Sequence, residues 1–324
     1  MVRSVFLAAA VSMGMPATAQ TLSPGANRVT FQSEGETLVG SLYLPAGYRA
    51  GERLPTVVVT GPWLTIKEQT AGAYARALAE RGFAALAFDH RFWGESGGEP
   101  RQWEDPDSKV RDLRNAVAFL RTVPAVDAER IGVLGVCFGA GYVAAATAED
   151  PHIRSMGTVA AWLHDTASLD AVFGAEEIRR RWTVGRAAAE RWRTARAVDY
   201  VPAHSNTDRT AGMFQVDFYG DASRGAIPQW TNRMAVMSWP GWLALDGAGM
   251  GARVDKPLMV VHSDGSALPQ NARRFFESAT GPKELVWLEG SHTDFYDRPT
   301  HVRPAADALA RHFGATLGAA TAAR

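Results

Sequence analysis

The sequence has a single cysteine, Cys137, among its 324 residues. One cysteine cannot form a disulfide within the chain, so disulfides do not hold this fold together. A chain of this length buries enough apolar surface to fold without them. A lone cysteine is then either an inert buried side chain or a reactive thiol.

An excess of charge of either sign is also missing, since 34 lysines and arginines balance 34 aspartates and glutamates. The whole molecule therefore produces no field that would favour nucleic acid or an anionic membrane. We expect a small-molecule partner and no nucleic acid, and nothing predicts an oligomeric state. The eight histidines lack zinc-ligand spacing, and the glycines at 247–251 do not join a strand to a helix. No metal and no cofactor are predicted.

The N-terminus has no apolar run of the about 20 residues that a membrane-spanning helix needs. Ser4 to Met15 is apolar but short, with Arg3 before it and Ala17-Thr18-Ala19 after it. This pattern is typical of a secretory signal peptide, and a frayed N-terminal helix is the alternative. We therefore expect a signal peptide at residues 1–19, cleavage near Ala19, and a periplasmic or secreted mature chain without a membrane span.

Short apolar runs alternate with amphipathic stretches along most of the chain. Two runs around a glycine-containing turn predict a hairpin, and six later runs predict strands: 27–31 and 38–44, then 55–60, 83–88, 130–135, 156–160, 257–261 and 284–288. Helices are predicted at 66–81, 107–121, 138–149, 268–279 and 304–313. The alternation predicts an α/β fold with a mostly parallel central sheet and helices on both faces.

Residues 164–250 depart from this alternation and predict an inserted, mainly helical lid, which leaves 20–163 and 251–324 as the core. The segment holds a basic stretch, Glu176 to Arg196, followed by sequence rich in Gly, Pro and Trp. Its arginines would allow a nucleic-acid surface. In a neutral chain, a solvated amphipathic helix is the better interpretation.

The segment around Cys137 has the order strand, Gly-x-Cys-x-Gly, helix, with Gly135 and Gly139 flanking the cysteine. A nucleophile at the tip of such a strained turn projects its reactive atom into the site, and the glycines relieve crowding. The following helix N-terminus favours a thiolate and an oxyanion. A buried structural cysteine is the alternative. The combined pattern favours Cys137 as the nucleophile.

The partners of a nucleophile in this setting follow in chain order, acid and then histidine. His292 comes just after the last predicted strand, at the carboxyl edge of the sheet, and is the predicted general base. Asp264 follows the strand at 257–261 and is the predicted acid. Asp165 is the alternative acid, and Asp294 is predicted to support His292 from behind.

The oxyanion hole of such a site uses two main-chain N–H groups. The residue after the nucleophile, Phe138, supplies one of them. The other comes from the loop after the strand at 55–60, where Pro62 has no N–H. Trp63 is therefore the better donor, and Leu64 stays open.

Several stretches resemble bacterial α/β hydrolases of the dienelactone-hydrolase-like superfamily, in a branch with an inserted lid. They are Lys67-Glu68-Gln69, Phe88-Asp89-His90-Arg91, 94–100, the Cys137 elbow, 227–233 and 290–297. The resemblance implies a Cys–His–Asp triad of Cys137, His292 and Asp264, with Glu68 near the resting thiol. It implies hydrolysis of esters or lactones through an acyl-thioenzyme. Thioesterase, acyltransferase or peptidase activity on the same residues, and a ligand-binding protein without catalysis, stay open.

Overall fold

The computed structural model describes residues 21–318, so the predicted signal peptide lies outside the described residues. Between residues 21 and 318, no helix is long and apolar enough to cross a membrane. The elements in chain order are β1 (Gly25–Ser33), β2 (Glu36–Leu44), β3 (Leu54–Thr60), α1 (Thr70–Ala79), β4 (Ala84–Phe88), α2 (Pro106–Leu120), β5 (Val126–Val136), α3 (Gly139–Glu149), β6 (Ile153–Val159), α4 (Thr166–Phe173), α5 (Ala175–Ala195), β7 (Tyr200–Val201), β8 (His204–Ser205), β9 (Met213–Phe214), α6 (Asp217–Gly220), β10 (Met234–Ala235), α7 (Trp239–Ala244), β11 (Leu258–His262), α8 (Pro269–Ser278), β12 (Lys283–Trp287), α9 (Asp294–Asp297) and α10 (Pro299–Leu317). Two 3₁₀ turns flank α7, at Val236–Ser238 and Gly249–Arg253.

The central sheet has eight strands in the order β1-β2-β4-β3-β5-β6-β11-β12. β1 pairs antiparallel with β2, and β2 pairs antiparallel with β4. All other neighbours pair in parallel. The prediction of a mostly parallel sheet, with an N-terminal hairpin, is confirmed.

Helices cover both faces of the sheet, because α1 and α10 pack together while α2 and α3 form a second pair. The central strand β3 is accordingly apolar on both sides, and Val57, Val58 and Val59 are fully buried. The start of α2 shows how the sequence fixes an element. The Asp105 side chain accepts the Ser108 N–H at 3.2 Å, and Pro106 occupies the first helical position.

Two helix boundaries differ from the sequence prediction. α1 begins at Thr70 because the preceding residues form a loop, in which the Ile66 N–H bonds to the Gln69 side chain. α10 begins at Pro299, since proline suits the first turn, and continues through Pro304. Neither shift moves a residue of the predicted site off its loop.

The stretch between β6 and β11 contains the predicted lid and combines helices with short strands. The helices are α4, α5, α6 and α7, and the strands pair as β7 with β10 and β8 with β9. The stretch lies over the carboxyl end of the sheet, because its side chains bond to the loop that follows β3. It therefore covers the edge where β3 and β5 end.

Candidate active site

Cys137 stands at a sharp corner between β5 and α3, with a backbone φ of +56°. This left-handed conformation is unusual for a residue with a side chain. Two hydrogen bonds of 3.0 Å hold it, from the Cys137 N–H to the Val159 carbonyl and from the Trp162 N–H to the Cys137 carbonyl. The surrounding structure thus fixes the strained turn that presents the sulfur.

The two glycines that flank Cys137 are required by close backbone contacts. A Cβ atom on Gly135 would lie 2.5 Å from the Gly139 carbonyl oxygen. A Cβ on Gly139 would lie 2.6 Å from the carbonyl oxygen of Gly61, in the loop after β3. A side chain at Gly135 would push β5 away from the start of α3, and one at Gly139 would push the elbow away from the loop after β3.

His292 lies in the loop between β12 and α9, beside the sulfur. The distance from its Nε2 to Cys137 Sγ is 3.3 Å. Burial of the ring lowers the pKa of His292 to about 3, and the charge of His262 makes a smaller contribution in the same direction. The structure thus brings together the predicted nucleophile and the predicted base, 155 residues apart in the chain.

The other ring nitrogen of His292 has a main-chain partner. Nδ1 accepts a hydrogen bond from the Ala267 N–H at 3.2 Å. Because Nδ1 is an acceptor, the neutral imidazole carries its proton on Nε2, facing the sulfur. In this orientation of the ring, the neutral imidazole presents Nε2–H to the sulfur.

Asp264 does not reach His292, and here the structure departs from the predicted triad. The Asp264 side chain is 81% exposed and lies 3.5 Å from Arg273. The preceding residue, Ser263, turns inward instead, and its hydroxyl donates to the Gly290 carbonyl at 2.7 Å. Because Ser263 takes the inward position, Asp264 points to solvent.

The two other aspartates proposed near His292 are occupied elsewhere. Asp165 caps the N-terminus of α4, where it accepts the Ser168 N–H at 2.9 Å. Asp294 accepts both the N–H and the hydroxyl of Ser291. Within residues 21–318, no carboxylate is hydrogen-bonded to the imidazole of His292.

The main-chain N–H groups of Phe138 and Trp63 lie near enough to the sulfur to oppose the rise in its pKa. Burial raises the pKa of the Cys137 thiol to about 11, against the opposing hydrogen bonds from the Tyr296 hydroxyl and these two amides. A thiol under two converging N–H groups stands where an oxyanion hole forms. These are the two donors that the sequence favoured.

Lid side chains hold the oxyanion loop in place. The Tyr219 hydroxyl donates to the Trp63 carbonyl at 2.9 Å, and the Trp230 indole donates to the Leu64 carbonyl at 2.7 Å. Leu64 is fully buried and has a φ of +62°. The lid thus fixes the peptide planes of the loop that presents the Trp63 N–H.

Tyr296 is a site residue that the sequence reasoning did not assign. It is buried, it lines the same cavity as Cys137, and its ring centroid lies 5.4 Å from that of His292. The available signal was its position, because it lies four residues after His292 in a stretch already noted. Sequence proximity to the base would have found it.

Glu68 does not stand beside the thiol. Its carboxylate pairs with the buried Lys67 ammonium at 2.6 Å, which also contacts Asp89 and Glu95. The carboxylate whose charge reaches Cys137 is Glu104, which is fully buried. Glu104 accepts hydrogen bonds from Tyr142 and Lys109, both at 2.7 Å. No motif marked it in the sequence.

A cavity of about 250 Å³ opens over the thiol. Its walls are mostly aromatic and apolar, and come from both the core and the lid: Trp63, Cys137, Phe138, Trp162, Val172, Phe173, Arg181, Ala211, Gly212, Met213, Phe214, Val216, Tyr219, Trp242, His292 and Tyr296. In the part of the chain that the structure describes, no cluster of three or more His, Cys, Asp or Glu could hold a metal ion. The cavity can enclose a small apolar group with a carbonyl at the sulfur.

The sheet order, the elbow and the facing histidine define an α/β hydrolase. Residues 57–215 match the family model described as serine aminopeptidase, S33. Protein PA2218 of Pseudomonas aeruginosa is 32% identical over 286 residues, which covers 84% of this chain and 76% of that protein. Its crystal structure superposes with a TM-score of 0.77 and 29% identity, over 92% of this chain and 96% of that one. The chain therefore belongs to the α/β-hydrolase superfamily, in one family with PA2218.

Two fungal relatives have names that state an activity. The polyketide transferase claH of Penicillium crustosum is 27% identical over 279 residues, 82% of this chain and 90% of that protein. The thiohydrolase aneE of Aspergillus aculeatus is 36% identical over 121 residues, 37% of this chain and 36% of that protein. One name is that of a transferase and the other that of a hydrolase.

Proposed function

We propose that this protein is an exported hydrolase that cleaves carboxylic esters, thioesters or lactones through an acyl group carried on Cys137. The observation that carries the proposal is the sulfur itself, which lies 3.3 Å from His292 Nε2 and under two N–H groups. The predicted signal peptide supports export. The names of the two fungal relatives, a polyketide transferase and a thiohydrolase, support the bond type.

The first step forms a bond between Cys137 Sγ and the carbonyl carbon, while the carbonyl oxygen accepts the N–H groups of Phe138 and Trp63. The thiol proton moves to His292 Nε2 and then to the leaving alkoxide or thiolate as the carbon–oxygen or carbon–sulfur bond breaks. Water, deprotonated by the same nitrogen, then attacks the thioester and releases the acid. The chain regains its thiol.

His292 can accept the thiol proton only when Nε2 is free, so its own proton must be on Nδ1. That tautomer would aim two N–H groups at each other, because Ala267 donates to Nδ1 in the resting state. The Ala267 hydrogen bond must therefore open before chemistry begins.

A substrate panel tests the proposal. Purified protein is offered p-nitrophenyl esters, acyl thioesters, lactones and aminoacyl amides, with Cys137→Ala as the matched control. We expect the native protein to turn over at least one of the oxygen esters, lactones or thioesters, and the Cys137→Ala protein to turn over none of them. Equal turnover by Cys137→Ala, or turnover of amides alone, would contradict it.

Acyl transfer to an acceptor other than water is the second candidate, and the name of the claH relative favours it. The same acyl-thioenzyme serves both reactions, so only the second half differs. Adding small alcohols, amines or thiols to the assay separates them. A transferase gives the new ester, amide or thioester in preference to the free acid.

A further inference from the structure

One charged side chain, Arg181, lines the apolar cavity that holds Cys137. It projects from the lid helix α5 and is only 6% exposed. A guanidinium stays protonated in proteins, so this is a fixed positive charge in an aromatic enclosure. Burying such a charge is costly unless it is paired and hydrogen-bonded.

The contacts of Arg181 leave part of its guanidinium unused. Its Nε donates to Glu177 at 2.7 Å, and its Cζ lies 4.3 Å from the Phe173 ring centre and 4.2 Å from that of Trp239. The buried Nη1 has no hydrogen-bond partner among residues 21–318. The aromatic contacts fix the plane of the group, while donors on its edge remain free.

The local charge is also unbalanced. Glu177 is shared, because Arg180 binds the same carboxylate at 2.6 Å. Two guanidinium groups and one carboxylate leave a surplus of one positive charge. Burial lowers the pKa of Arg181 in spite of Glu177, which agrees with incomplete compensation.

We propose that Arg181 binds a carboxylate at the far end of the substrate, so that the enzyme acts on esters or thioesters of acids that carry a second carboxylate. This inference rests on the proposed function. One carboxylate matches both the single surplus charge and the planar edge of a guanidinium, which binds carboxylates through two parallel hydrogen bonds. The cavity lies below the range of about 300–1,000 Å³ typical of ligand pockets, which favours a short chain between the two ends.

Binding without turnover provides the test. Monomethyl succinate, monomethyl adipate and monomethyl suberate are titrated against the Cys137→Ala protein, with methyl hexanoate as the uncharged match for the adipate. Tryptophan fluorescence reports occupancy, because Trp63, Trp162 and Trp242 line the cavity. We expect at least one monoester to bind ten or more times more tightly than methyl hexanoate.

Arg181→Met in the same background should abolish that preference, whereas Arg181→Lys should keep part of it. Arg179→Met, an exposed arginine on the same helix, is the matched control and should keep all of it. Equal binding of charged and uncharged esters, or a preference that survives Arg181→Met in a folded variant, would overturn the inference. The experiment measures binding and not turnover. A missing preference for the charged esters would therefore contradict this inference, whereas missing hydrolysis would contradict only the proposed function.

Discussion

The two sides of the active-site cavity differ in composition and in origin. The core side is made of strand-end loops and presents the Cys137 sulfur 3.3 Å from His292 Nε2, with the main-chain N–H groups of Phe138 and Trp63 nearby. The lid side presents aromatic rings and a single cation, Arg181. Under the proposed function, we expect the core side to determine the reaction and the lid side to determine which acyl group is accepted.

The loop after β3 is one of the places where the two sides meet, and it is the one that presents the Trp63 N–H. Tyr219 and Trp230 reach from the lid to the carbonyls of Trp63 and Leu64. Removing core groups should therefore affect every substrate, and removing lid groups should affect only some. Tyr219 comes from the lid but holds the loop that presents the Trp63 N–H, so its loss should affect every substrate alike.

Loss of either reacting group on the core side should have the largest effect. His292→Ala and Cys137→Ala should each lower kcat/KM by about 10⁵-fold for all substrates, because each removes one member of the reacting pair. The effects of residues that act as one unit do not add. The double variant should be no slower than either single one. Steady-state assays on a neutral ester measure this, and two independent losses that multiply would break the picture of one reacting pair.

The resting thiol should react slowly and with a steep pH dependence. Burial raises the pKa of Cys137 to about 11. At every pH below that value, the thiolate fraction grows about tenfold for each unit by which the pH rises. Alkylation by iodoacetamide should accordingly rise about 100-fold between pH 7 and 9 without a plateau. Because the chain has a single cysteine, no other thiol contributes to the alkylation signal. A plateau in that range would reveal a thiolate–imidazolium pair instead.

Arg181→Met should separate the lid side from the core side. We expect kcat/KM for a monoester with a free carboxylate to fall about 10–100-fold, since a hydrogen bond to a charged group contributes about 1.5–3 kcal/mol. Methyl hexanoate should change less than about twofold, because it makes no such hydrogen bond. Equal losses on both substrates would show that Arg181 supports the fold and not recognition.

Tyr219→Phe removes the hydroxyl that anchors the Trp63 carbonyl. One neutral hydrogen bond contributes about 1 kcal/mol, so kcat should fall about fivefold with little change in KM. The charged and uncharged esters should lose the same factor. A change in KM alone would mean that Tyr219 acts only as a wall of the cavity.

Asp264→Asn should have the smallest effect. An exposed side chain that does not touch His292 should leave kcat/KM within about threefold, whereas loss of a triad acid costs about 10⁴-fold. Asp165→Asn provides the matched comparison. A loss of several hundredfold at Asp264 would show that the turn after β11 rearranges when substrate binds.

The sequence predicted most of the core side, because its signals are local. A glycine on each side of Cys137, a strand before it and a helix after it mark the corner, and chain order selects His292. The acid could not be predicted in this way. Whether Ser263 or Asp264 turns inward depends on the Gly290 carbonyl, which arrives from a distant loop.

The lid side was harder to predict for a related reason. The sequence predicts a solvated amphipathic helix over 176–196, in agreement with α5, but it does not show that Arg181 is buried. Arg181 is buried because Phe173 and Trp239 come from other lid segments to enclose it. An amphipathic pattern shows which side chains share a face and not what that face meets.

Intact-mass analysis during turnover of a slow ester tests the central claim most directly. With one cysteine in the chain, we predict a mass gain equal to the acyl group, located on Cys137 and removed by hydroxylamine. The Cys137→Ala protein should gain nothing. Steady turnover with no adduct on the native chain, or the same adduct on Cys137→Ala, would contradict an acyl group carried by this sulfur.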